Sequence, residues 1–137
     1  MNSENGSPNY EVSLSPKFAR AIKVLKKKYK SKREAKAFVE AISDIVEELA
    51  QFPEPKESRQ EPWPSNLNYA EWNLRKLTFP LPGRSGAVGQ GRLIYLVNDQ
   101  LRIIHLLWPY THEEFDKRPP DKDLKSLIQE FIDEYGT

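Results

Sequence analysis

The chain of 137 residues contains no cysteine. That absence excludes disulfides, zinc–thiolate and iron–sulfur sites, and cysteine nucleophiles together. No apolar run approaches the roughly 20 residues needed to span a bilayer, and the mean hydropathy is −0.72. An integral helical membrane protein is therefore excluded. The first residues, MNSENGSPNY, lack the apolar stretch of a secretory signal, so the cytoplasm is the expected location. Neither sign of charge dominates: 21 Lys and Arg stand against 20 Asp and Glu, for a net charge of +1. Composition thus gives no global bias toward nucleic acid. No internal repeat is present.

What is there reads as a polar, disordered leader over residues 1–9 followed by a single domain over 10–137. Tyr10, Val12 and Leu14 alternate with Glu11 and Ser13, the period-two pattern of a short strand. Ser15-Pro16 supplies an N-cap and a first helical residue. Phe18, Ile22, Leu25 and Tyr29 then mark one face of a helix over about 16–30. Ser31 and Glu34 are spaced as a capping box and open a second helix over about 32–51, with Ala35, Phe38, Val39, Ile42, Val46 and Leu49 as its stripe. The short link makes the pair an antiparallel hairpin, which needs a sheet on which to bury its apolar stripes.

Pro53, Pro55, Pro62 and Pro64 make 53–68 a long irregular connection. Three strands follow, over about 71–79, 92–98 and 101–108. The last two are nearly continuous apolar runs, which suits central strands covered on both faces. Asp99-Gln100 between them reads as a tight hairpin turn. Leu124, Leu127, Ile128, Phe131 and Ile132 mark a final amphipathic helix over about 121–135. The expected fold class is α+β: an N-terminal strand, a helical hairpin on a small, mostly antiparallel sheet, and a C-terminal helix.

Three segments carry chemistry. The first helix and its exit hold Lys17, Arg20, Lys23, Lys26, Lys27, Lys28, Lys30, Lys32 and Arg33 with no acid among them. Such a run is a phosphate-binding stripe, a solvated helix face, or a surface for an acidic partner. The glycine-rich stretch PLPGRSGAVGQG (80–91) lacks the Gly-Lys-Ser/Thr ending of a P-loop and joins strand to strand. It reads as a flexible hairpin loop in which Arg84 can touch phosphate. The stretch WPYTHEEF (108–115) gathers Trp108, Tyr110, His112, Glu113 and Glu114. Its Thr111 and Glu114 also have the spacing of a helix-start turn. His112 can move a proton near neutral pH. The other histidine, His105, reads as a packed strand residue, so no metal site is expected. No serine triad or carboxylate pair is localised. The cations on the strands, Arg75, Lys76, Arg92 and Arg102, point to an anionic ligand, most simply phosphate.

The segments YEVSLSPKFARAIKVLKKKY, WNLRKL, GRLIYLV and LRIIHLLWPYTHEEF, in that order, resemble the RelE/ParE superfamily of toxins from bacterial type II toxin–antitoxin pairs. The resemblance spans about 10–118. It implies a helical hairpin followed by an antiparallel sheet, and an antitoxin that wraps the surface. The RelE-like branch cleaves messenger RNA in the ribosomal A site, without a cofactor, by attack of the 2′-hydroxyl. The ParE-like branch poisons DNA gyrase. By position, the resemblance makes Arg92 a ligand of the scissile phosphate and Tyr110 an active-site tyrosine. Arg75 falls near a catalytic lysine of some members. An arginine is a poor proton acceptor, so His112 becomes the proton-transfer candidate, with Glu113 orienting it or acting as base. Lys76, on the opposite face of a regular strand from Arg75, joins Arg84, Lys23, Lys26 and Lys27 as RNA or phosphate contacts. The same lysines of the first helix also suit an acidic antitoxin segment. The expected activity is a ribosome-dependent endoribonuclease. A gyrase-binding toxin or a homologue that only binds antitoxin is the alternative.

Overall fold

A computed structural model describes residues 9–84, 86 and 89–135. The leader expected over 1–9 and the last two residues of the expected domain lie almost wholly outside these. The elements are β1 (Glu11–Leu14), α1 (Pro16–Lys26), α2 (Lys32–Gln51), β2 (Ser58–Gln60), β3 (Asn73–Pro80), β4 (Gln90–Asn98), β5 (Ile103–Thr111) and α3 (Asp121–Glu134). They form one five-stranded sheet in the order β1-β5-β4-β3-β2. β1 runs parallel to β5, and the other pairs are antiparallel.

Local chemistry sets the helices. Ser15 Oγ accepts from the amides of Lys17 and Phe18, with Pro16 at the first helical position. Ser31 Oγ accepts from Glu34 N at 3.0 Å, the N-cap half of the expected box, while Glu34 Oε1 accepts from the Ser31 hydroxyl at 3.4 Å rather than from its amide. α1 stops at Lys26 rather than near 30. Tyr29 is reached through a tighter turn and stacks on Phe38 with ring centroids 5.4 Å apart.

The sheet is covered on both sides. On one face Leu77, Phe79, Leu93, Tyr95, Val97, Ile104 and Leu106 pack against Phe18, Leu25, Phe38 and Leu49 of the helical hairpin. On the other, Leu74, Ile94, Leu96, Leu107 and Trp108 pack against Leu124, Ile128 and Ile132 of α3 and against Trp72.

Three local expectations are corrected. Part of the irregular 53–68 connection is β2, which pairs with β3. The turn between the last two strands has four residues, 99–102, because Asn98 pairs with Ile103. Asn98 Oδ1 accepts from Leu101 N at 2.9 Å, and Arg102 takes a φ of 55°. β5 also extends to Thr111, with a register shift opposite Ile94 and Tyr95.

Candidate functional site

Strand parity decides which cations meet. Arg92 pairs with Tyr110 on β5 and Thr78 on β3. Pairing residues share a face, so Arg92, Tyr110 and Thr78 lie on the α3 side. Lys76 is two residues from Thr78 and shares that side. Arg75 points the other way. Its Nε donates to Ser58 Oγ at 2.8 Å and its Nη2 to Ser58 O at 3.2 Å. Ser58 Oγ in turn meets the Tyr95 hydroxyl at 2.6 Å. The structure therefore separates Arg75 from Arg92 and brings Lys76 to it.

Two further residues complete the cluster. Glu61 is buried, and its amide donates to Leu74 O at 2.8 Å, alongside β3. Its carboxylate reaches Lys76 Nζ at 3.5 Å and Arg118 Nη1 at 3.0 Å. Arg118, just ahead of α3, also donates from Nη1 to Pro62 O at 2.6 Å and from Nη2 to Asp121 Oδ1 at 2.8 Å. Three cations (Lys76, Arg92 and Arg118) thus gather with two carboxylates. Arg92 Nη1 is buried and has no hydrogen-bond partner among the described residues. An unpaired buried donor costs about 1–3 kcal/mol, and an anion within reach relieves it.

Tyr110 is fully buried and donates its hydroxyl proton to Lys117 O at 2.9 Å. Burial, and secondarily the Glu61 carboxylate, push its ionisation well above the ordinary tyrosine value; Arg92 and Arg118 oppose this. At neutral pH it holds its proton and acts as a hydrogen-bond donor, not a base.

The remaining candidates are engaged by other partners. The Thr111–Glu114 box forms, with Thr111 N donating to Glu114 Oε1 at 3.1 Å, but it closes a single turn rather than opening a helix. His112 projects from that turn, and its Nε2 lies 3.2 Å from Asp116 Oδ1. Glu113 is taken by Arg84 at 3.2 Å, and the Arg84 guanidinium also lies over the Tyr29 ring at 5.4 Å. Lys23, Lys26 and Lys27 are exposed at the end of α1, on the hairpin side. His105 is buried, held by Ser13 Oγ at 2.7 Å. Among the described residues, no group of three His, Cys, Asp or Glu is placed to hold a metal ion, and no helix is long and apolar enough to cross a membrane.

Comparison with known proteins gives the context. The family model for the ParE toxin of type II toxin–antitoxin systems matches residues 12–109, from β1 through most of β5. Among solved structures, the archaeal RelE–RelB complex from Pyrococcus horikoshii OT3 is similar to this chain. It shows 20% identity and a TM-score of 0.47, over 75% of this chain and 94% of that one. No curated protein matches. Because the family model covers well over half of the sequence, the chain belongs to the ParE toxin family of type II toxin–antitoxin systems, within the RelE/ParE superfamily.

Proposed function

We propose that this toxin, whose partner is a cognate antitoxin, cleaves messenger RNA on the ribosome by metal-independent attack of a ribose 2′-hydroxyl. The observation that carries the reading is Arg92, whose buried Nη1 has no partner among the described residues, on the face that also holds Lys76 and Arg118. The cluster has one more cation than carboxylate, which favours an anion there. In the reaction the 2′-oxygen bonds to phosphorus and the bond from phosphorus to the 5′-oxygen breaks, leaving a 2′,3′-cyclic phosphate and a 5′-hydroxyl. Cations at the phosphate stabilise the extra negative charge of the phosphorane. In this reading His112 takes the 2′-hydroxyl proton, and solvent water gives a proton to the departing 5′-oxygen on the opposite side of phosphorus. The His112 Nδ1 is buried and its Nε2 lies 3.2 Å from Asp116 Oδ1, so in this reading substrate displaces Asp116 from Nε2. Glu113 holds Arg84 beside the turn, where Arg84 adds a phosphate contact. Lys23, Lys26 and Lys27 add contacts to RNA phosphates or to the antitoxin.

A second reading, a toxin that binds DNA gyrase without cutting RNA, is favoured by the commitment of the Tyr110 hydroxyl to Lys117 O. Cell-free translation of a defined message, with new 5′ ends mapped by primer extension, separates the two. The ribonuclease reading expects cuts only on translated message, lost with Arg92→Ala. No cuts from folded protein, together with gyrase-linked DNA breaks in a supercoiling assay, would favour the second.

A further inference from the structure

Glu61 is an unusual member of a cationic site. Its carboxylate is 8% exposed and spans Lys76 at 3.5 Å and Arg118 at 3.0 Å. Each ion loses hydration there, and a buried ion pair of this kind is weak evidence of stabilisation. The backbone fixes where the carboxylate sits. Glu61 N is bonded to Leu74 O, and Pro62 follows, so the residue is anchored beside β3 with its side chain turned onto the Arg92 face. The two cations differ in how firmly they are held. Arg118 is bound by Glu61, Pro62 O and Asp121. Lys76 has the longer contact and keeps 27% of its side chain exposed. Its flexible stem lets the ammonium turn outward.

We infer that the Glu61 carboxylate is an internal anion standing where a nucleic acid phosphate binds, and that an incoming phosphodiester displaces it from Lys76 and Arg118. Those two cations then join Arg92 on the ligand. The charge argument is direct: a phosphodiester carries the same single negative charge as the carboxylate and offers the same two acceptor oxygens to a guanidinium fork. The exchange exposes one carboxylate and satisfies the free Arg92 donor. Glu61 and Arg118 become ligand-controlling residues of the site, and Glu61 sets its affinity by competition. The inference takes the ligand class from the proposed function but does not require cleavage.

The test uses the full chain and a fluorescent single-stranded RNA hexamer with 2′-O-methyl riboses, which has no attacking hydroxyl. Glu61→Gln keeps the shape and removes the charge. Its expected effect is hexamer binding tighter by about fivefold or more at low salt, the scale of one nearby repulsive charge. Equal or weaker binding by a variant whose melting curve and near-ultraviolet circular dichroism match the wild type would overturn the inference, as would failure of both proteins to bind. A second measurement does not depend on the variant. In ¹⁵N-labelled wild type, hexamer should shift the Arg118 Nε–H resonance; binding that leaves this resonance unmoved overturns the inference. Tighter binding by Glu61→Gln from a toxin that cuts no message would leave the internal anion standing and remove the ribonuclease reading. Message cutting with an unresponsive Glu61→Gln would do the reverse.

Discussion

The imidazole of His105 lies flat on the ring of Phe131, with centroids 3.6 Å apart and planes 5° from parallel. The contact joins β5 to α3, and Ser13 Oγ on β1 holds Nδ1 from the other side. Burial pushes the His105 pKa from 6.5 down to about 4, so the folded state holds it neutral. The unfolded chain takes up its proton first as pH falls. Stability associated with neutral His105 is therefore complete above pH 6.5 and lost between there and about 4. The full linkage amounts to about 3 kcal/mol. Melting temperature measured from pH 7 to pH 4 should fall more steeply for the wild type than for His105→Phe. Parallel slopes would show that His105 does not titrate differently in the two states.

Gly91 faces Phe79 across β3 and β4, and a Cβ at Gly91 would lie 2.5 Å from Phe79 Cζ. Phe79 is buried against the helical hairpin, so its ring has little room to retreat. Gly91→Ala should destabilise the fold by about 1–3 kcal/mol, the usual cost of overpacking. Because the obstacle is the ring itself, Phe79→Leu in the same chain should recover part of the loss. Urea unfolding of the three variants checks both statements, and a fully tolerated Gly91→Ala would show that the ring moves freely.

The helices were legible because their signals are local. Ser15, Pro16, Ser31 and Glu34 each act within four residues. Only the end of α1 departs from its expected place, since Tyr29 keeps the apolar spacing yet reaches the core from a turn. β4 and β5 were legible from their apolar runs. The face of Arg75 and Lys76 was not, for a physical reason. Leu74 and Leu77 point to opposite faces and both are buried, so alternation gives no marker of inside and outside. β2 was missed because Ser58-Arg59-Gln60 has no apolar alternation. Glu61 and Arg118 meet across more than fifty residues, and no spacing rule links them. The one local hint was Asp121 three residues after Arg118, a spacing that suits a pair at a helix start.

Arg75 and Arg92 should separate structure from function. Arg75 ties the 53–58 segment to the sheet through Ser58, beside the bond from the Tyr95 hydroxyl to Pro53 O at 2.7 Å. Arg75→Ala should cost about 1–2 kcal/mol of stability through the lost hydrogen bonds while growth arrest on expression persists. Arg92→Lys retains charge but loses the planar fork. It should leave stability nearly unchanged and abolish arrest. Thermal melts and plating efficiency measure the two effects, and loss of arrest with Arg75→Ala at full stability would return Arg75 to the site.

Tyr110 gives a prediction at the alkaline end. Its proton is held by burial and by the bond to Lys117 O. The raised folded-state value means the unfolded chain ionises first, near pH 10. The stabilisation is present below pH 10 and is lost as pH climbs beyond it. Tyr95, also raised by burial, adds a second such contribution. Tyr110→Phe should cost about 1 kcal/mol at neutral pH from the lost hydrogen bond and should flatten the decline in stability above pH 10. In the translation assay its cutting rate should fall less than that of Arg92→Ala, with an unchanged pH profile up to pH 9. A wild-type rate that climbs toward pH 9 and loses that climb in Tyr110→Phe would mean that the phenolate acts as a base, against the buried, donated proton seen here.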